Sequence, residues 1–225
     1  MYHRAYGLKT IVSRAFNHEG AGRGHWFVTA VVASQVMEMK QGNRSKIVIG
    51  DVNSFRDWSH IKDAVRGYSL LAIKGIPGEV YNQGSRRTHS VLTYILLSLE
   101  IAGYTIEKIT TLRKRVEVKE PTRQVTMNAF GSSFETTEVD RKMLVEGLFF
   151  QMEDRGITVQ TDKGDVLIEF SQARFRPADV PILMCDNTKV CALGFQIQHT
   201  IEDIIRDQLD FYLSPEMQEE SRLST

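Results

Sequence analysis

Between Phe16 and Gly24 the chain gathers an amide (Asn17), an imidazole (His18), a carboxylate (Glu19) and a guanidinium (Arg23) among Gly20, Gly22 and Gly24. The Asn17 amide can donate to a phosphate or sugar oxygen. Arg23 carries the planar fork that grips phosphate bidentately. The segment follows the apolar run 8–12 and precedes an apolar helical pattern opening near Trp26, so it is expected as a loop between a strand and a helix. Such loops are where phosphate-bearing ligands sit in α/β proteins, at helix N-termini and strand ends. A plain solvated turn is the competing reading. The glycines do not follow G-x-G-x-x-G, and no first strand of a nucleotide-binding fold precedes them.

Composition limits what else the chain can do. Its 225 residues allow one sizeable domain, or one with an appendage. Lys+Arg and Asp+Glu both total 28, so the formal net charge is +0 and no global field draws in nucleic acid or an anionic membrane. Any anion-binding surface must be local. Cys185 and Cys191 stand in an apolar stretch without a neighbouring histidine, a poor zinc site, and both are expected to be buried small hydrophobes. No apolar run reaches membrane-spanning length and no signal peptide precedes the first strand, so a cytoplasmic protein is the default expectation.

The elements that must position the polar segment follow from periodicity. Residues 1–7 read as the last turn of a helix ended by Gly7, an odd opening that implies the later part of something longer. Residues 8–14 read as a buried strand. Phe27, Val28, Val31, Val32, Val36 and Met39 recur at helical spacing, and residues 46–50 form a short strand. Ile61, Ala64, Val65, Tyr68 and Leu71 mark an amphipathic helix. A strand over 79–82, a polar stretch with Arg86 and Arg87 expected in solvent, and a helix over 91–103 come next. Residues 138–154 are expected as a helix, and 157–160 with 165–170 as a hairpin about Asp162-Lys163-Gly164. Around Arg176 and Pro177 the chain should be extended. A short helix then follows Asp186-Asn187, and a last helix carries Ile201, Ile204, Ile205 and Leu209.

Four pieces, in order, give the chain a family likeness. Ser13-Arg14-Ala15-Phe16-Asn17-His18-Glu19, with Arg23-Gly24 and Phe27-Val28-Thr29, resembles R-x-F-N-H-E-S-P-R-R-G-x-x-F-V-T. Gly50 and Arg56-Asp57-Trp58-Ser59-His60-Ile61-Lys62-Asp63 resemble G-N-L-x-x-x-R-D-W-G-H-x-x-D. Pro77 to Ser85 is similar to a strand and serine loop common to extended short-chain dehydrogenase/reductases. Arg176-Pro177-Ala178-Asp179-Val180-Pro181 with Asp186 to Lys189 looks like their R-P-x-D-V-P…D-x-x-K ending. The chain thus resembles the C-terminal part of the GDP-mannose 4,6-dehydratase family, over residues 1–105 and 170–213. The implied fold is α/β, the last sheet strands of a Rossmann-type fold plus a substrate-binding subdomain. The division expected is 1–109 and 171–213 for the family segments, 110–170 for an insertion or small α+β subdomain, and 214–225 for a tail.

The resemblance implies a nucleotide-sugar dehydratase using NADP or NAD, with GDP-mannose as substrate, and either a homo-oligomer or pairing with an N-terminal half. It places His18 and Arg23 against the cofactor, and Asn17, Glu19, Arg56 and Arg176 against the substrate. For Arg176 a structural ion pair stays open. For Asp57 and His60 the reading is a cap on the following helix, Asp57 above all. Trp58 and Tyr81 are read as packing. The departures are informative. The family's S-P-R-R-G is Gly20-Ala21-Gly22-Arg23-Gly24 here, a looser loop with one arginine fewer. The family's glycine-rich nucleotide loop, its catalytic Thr/Ser and Glu and its Tyr-x-x-x-Lys pair lie upstream of the strand that opens this chain. Tyr104 and Lys108 match only the spacing, after a helix-ending glycine. No catalytic residue is therefore assigned in this chain, and alone it is expected not to turn over. A 4-keto-sugar reductase or epimerase, or a non-catalytic nucleotide-sugar-binding module, are the alternatives.

Overall fold

Residues 2–175 and 180–214 are described in the structure, a computed structural model. Arg176, Pro177 and the two residues after it, and the polar tail from residue 215 lie outside the described residues. Helix α1 (Tyr2–Tyr6) ends at Gly7, whose φ of 68° suits glycine. Strand β1 (Val12–Ala15) starts later than the expected 8–14 run, because the Thr10 N–H turns back onto the Leu8 carbonyl at 2.8 Å. Strand β2 (Asn17–Glu19) occupies the segment expected as a loop. Then come helix α2 (Val28–Lys40), strands β3 (Lys46–Ile49), β4 (Phe55–Arg56) and β5 (Trp58–His60), and helix α3 (Ile61–Lys74). Strands β6 (Val80–Gln83) and β7 (His89–Ser90) lead into helix α4 (Val91–Ile101).

The middle of the chain supplies β8 (Ile106–Thr111), β9 (Glu117–Lys119), β10 (Gln124–Ala129), β11 (Ser132–Thr137), α5 (Glu138–Val145), β12 (Gly156–Thr161) and β13 (Gly164–Phe170). The hairpin about Asp162 is present, with Thr161 opposite Gly164. Helix α5 stops well short of 154. Gly147 takes φ 71° and the Leu148 N–H reaches the Lys142 carbonyl at 3.2 Å, which closes its end. Helices α6 (Thr188–Cys191) and α7 (Ile201–Phe211) follow.

Three pairings matter for the site. β1 lies parallel to β6, Val12 opposite Val80; β2 lies parallel to β5, Asn17 opposite Trp58 and Glu19 opposite His60; β4 runs antiparallel to β7. The larger sheet has the order β3-β13-β12-β8-β9, with β3 parallel to β13 and the other pairs antiparallel. Strands from the middle of the chain thus share one sheet with residues 46–49. Helix α4 is buried on every side from Val91 to Leu99, Thr93 and Ser98 included, as a helix apolar nearly all round must be. It packs on α2 and α7, and these helices share one hydrophobic core with the sheet. A smaller cluster joins Leu71, Tyr81, Val190 and Phe195. Val190 points inward from α6, so Cys191, expected to be buried, is exposed, while Cys185 is buried.

Candidate functional site

Strand pairing, not a flexible turn, fixes the chemistry-bearing residues at 17–19. Period-2 alternation then sends Glu19 inward. Glu19 is 2% exposed, accepts the Thr29 hydroxyl at 2.7 Å, and has Arg23 Nε 3.1 Å away. Thr29, on the first turn of α2, lies 3.4 Å from Gln208 Nε2 of α7, and the Gln208 carbonyl oxygen accepts the Tyr94 hydroxyl. Half-buried Arg23 thus leads into a buried polar chain of Glu19, Thr29, Gln208 and Tyr94 that crosses α2, α7 and α4. Burial pushes the Glu19 carboxyl up, against the pull of Thr29, Arg23, His18 and Gln208. Burial also holds Tyr94 well above the usual tyrosine range, so it remains a donor. Glu19, expected against the substrate, is instead the buried anchor of this network.

Tyr94 and Gln208 have no place in the motifs of the sequence, and Thr29 has one only as the end of Phe27-Val28-Thr29. Gln208 did carry a signal. It follows Ile201, Ile204 and Ile205 at helical spacing, on the face that turns into the core.

Arg23 turns inward as well. Its guanidinium carbon sits 3.4 Å from the centre of the Phe27 ring, and its Nε is buried without a well-directed hydrogen bond. His18 places Nδ1 3.0 Å from the Phe16 carbonyl, so Nδ1 is assigned as the donor there. Neutral His18 then has only an acceptor, Nε2, left for a ligand. The Asn17 amide is half-buried and makes no hydrogen bond among the described residues. The Arg23 Nε faces Glu19 and His18 Nδ1 faces the Phe16 carbonyl, which leaves the Arg23 Nη groups and His18 Nε2 for a ligand.

The Arg56 to Asp63 motif is largely a set of clasps. Arg56 Nη1 donates to the carbonyls of Phe55 (2.8 Å) and Val180 (2.6 Å). Asp57 does not cap α3, contrary to the sequence expectation. Fully buried, it accepts the Ser85 N–H and hydroxyl (both 2.7 Å), the Arg86 N–H (2.9 Å) and the Cys185 N–H (2.9 Å). Burial raises its pKa and these donors oppose the rise. His60 is the cap, its Nδ1 accepting the Lys62 N–H at 3.1 Å. Asp63, also fully buried, accepts His199 Nδ1 at 2.9 Å and the His199 N–H at 3.1 Å. Trp58 and Tyr81 are buried, Trp58 against Tyr94 at 5.0 Å between ring centres. Arg86 and Arg87, expected in solvent, are half-buried and tie their loop to other segments: Arg86 reaches the Gly131 carbonyl at 3.2 Å and Arg87 the His199 carbonyl at 2.8 Å.

The structure therefore brings Asn17, His18 and Glu19 beside β5, with Arg56 two residues before Trp58, the partner of Asn17. Arg176 is not described. No trio of His, Cys, Asp or Glu able to hold a metal ion occurs among the described residues, and no described helix is long and apolar enough to cross a membrane.

A family model described as GDP-mannose 4,6 dehydratase matches residues 1–145. The GDP-mannose 4,6-dehydratase of Sinorhizobium fredii (strain HH103) is 26% identical over 93% of this chain and 49% of its own length. The GDP-6-deoxy-D-mannose reductase of Pseudomonas aeruginosa is 34% identical over 45% of this chain and 34% of its own. Among solved structures, RMD from Pseudomonas aeruginosa, complexed with NADPH, superposes with a TM-score of 0.59 at 21% identity, over 93% of this chain and 50% of that one. That likeness fixes the α/β, Rossmann-type fold. The chain spans about half the length of the first curated relatives it matches.

Proposed function

This chain belongs to the GDP-mannose 4,6-dehydratase family, and from that premise we propose that it is the substrate-binding part of a nucleotide-sugar 4,6-dehydratase, a lyase, with GDP-mannose as substrate. The observation that carries the reading is the parallel β2–β5 pairing. It holds the Asn17 amide at a fixed height beside the Arg56 segment. Asn17 donates to a diphosphate or sugar oxygen, and Arg56 supplies the positive charge that a nucleoside diphosphate requires. Glu19 and Arg23 act from behind by keeping β2 rigid. His18 contacts ligand phosphate only as the imidazolium, since the neutral ring offers an acceptor there. NADP or NAD supplies the redox chemistry when bound. No catalytic group is assigned within the chain.

Calorimetry with GDP and GDP-mannose tests the reading. Heat of binding for both is expected, and no heat at millimolar ligand rejects a retained site. Incubation of the chain alone with GDP-mannose and NADP is expected to give no 4-keto-6-deoxy product, and its appearance rejects the absence of catalytic groups. The Pseudomonas relative keeps a reductase of 4-keto sugar nucleotides as the alternative within the enzyme class. One observation favours a second reading, a module that docks a separate N-terminal half. β1 and β6 form a parallel sheet of two strands, with Val12 half exposed. Parallel sheets are otherwise buried on both faces.

A further inference from the structure

We propose that Asp207, on α7, is a positioning residue for the Asn17–Arg23 segment, holding it down as a latch. Its Oδ2 accepts the Ala21 N–H at 2.8 Å and stands 3.4 Å from His60 Nε2. His60 Nδ1 already accepts the Lys62 N–H, so Nε2 carries the proton and points it at Asp207. One carboxylate oxygen thus joins the glycine segment, the strand β5 that β2 pairs with, and α7. A second observation agrees. A Cβ at Gly20 would stand 2.7 Å from Ile61 Cγ2 and 3.0 Å from Asp207 Oδ2, so a side chain there would have to push Ile61 of α3 and Asp207 of α7 aside. Gly22 adopts φ 72° with Phe211, one helical turn after Asp207, beneath it. Glycine here permits close docking instead of looseness.

The consequence for binding rests on the nucleotide-sugar reading, because a ligand held by Asn17 needs that segment ordered beforehand. The test measures hydrogen exchange of the Ala21 amide and calorimetric binding of GDP-mannose in wild type, Asp207→Ala and Asp207→Asn. In Asp207→Ala the Ala21 amide is expected to exchange about tenfold faster or more, with Ile47, Leu96 and Ile157 unchanged, and GDP-mannose to bind several-fold more weakly. Asp207→Asn keeps a carbonyl acceptor and should restore both. Unchanged Ala21 exchange in Asp207→Ala overturns the latch. So does faster exchange of the core amides together with Ala21, or a failure of asparagine to rescue. A wild-type chain that binds no GDP-mannose, while Ala21 still responds to Asp207→Ala, supports the latch and removes the nucleotide-sugar reading instead.

Discussion

Glu19 shows how one residue can look like chemistry and serve as architecture. A carboxylate beside an imidazole and near a guanidinium invites a role at the ligand, but a side chain 2% exposed cannot reach one. Its value lies in ordering β2, and its cost is the burial of a charge that Arg23, at 3.1 Å, only partly offsets. The cost has a pH signature. Burial raises the folded pKa above the ordinary 4.5. The stabilising contribution of Glu19 is therefore complete below pH 4.5 and is lost as pH rises through the raised value. Glu19→Gln removes that dependence and keeps an acceptor for Thr29. The stability of Glu19→Gln relative to wild type is expected to improve as pH rises above 4.5, by at most about 1.4 kcal/mol per pH unit, and to level off above the raised value. Urea unfolding at several pH values measures it, and a pH-independent gap between the two proteins rejects the assignment. Asn17, two residues earlier on the same strand face, has no such tie among the described residues. That contrast separates the candidate binding residue from its support.

At the scale of elements, most of the fold was legible in local pattern. The α7 stripe of Ile201, Ile204, Ile205 and Leu209, the Asp162 hairpin and the α2 periodicity all appear where spacing put them. What spacing could not reveal were the clasps. The Asp57 carboxylate meets the Cys185 N–H across 128 positions of chain, and Asp63 meets the His199 N–H across 136. Nothing near Asp57 distinguishes such a role from a helix cap, since Asp commonly occupies both. The 17–19 strand escaped for the same reason: it exists through β5, and alone it is a polar segment before glycines. Arg86 and Arg87 are drawn in by carbonyls from distant segments. Asp57 predicts a measurable effect. Asp57→Ala strips the Ser85 loop, the Arg86 amide and the Cys185 segment of their shared acceptor at once, leaving their buried N–H groups unpaired. A loss of about 3–5 kcal/mol is expected in urea unfolding. A loss below about 1 kcal/mol would mean that water replaces the carboxylate and that the clasp does not hold these elements together.

The whole molecule has an asymmetric surface. Helix α3 buries Asp63, Ala64, Gly67 and Leu71. Its other side carries Ile61, Val65 and Tyr68, which are 36%, 53% and 44% exposed at spacings of four and three. Val12 of β1, at 50%, and Ile76, at 58%, add to the apolar surface. Scattered exposed hydrophobics need no explanation, but a stripe along one helix does. The parallel β1–β6 pair adds backbone groups at a strand edge, and open edges are templates for association. Each feature alone is weak; together they make a surface that associates. The zero formal net charge gives no long-range repulsion to oppose it. The chain on its own is therefore expected to self-associate as concentration rises, and Val65→Lys with Tyr68→Lys to shift it towards the monomer. Both substitutions sit on the exposed side of α3, so the folded core and the Asp207 contact should be unaffected. Sedimentation equilibrium of the two proteins decides the matter. A wild-type chain that stays monomeric across the accessible range, or a double variant that associates equally, would show that the stripe drives no assembly and that any partner must dock elsewhere.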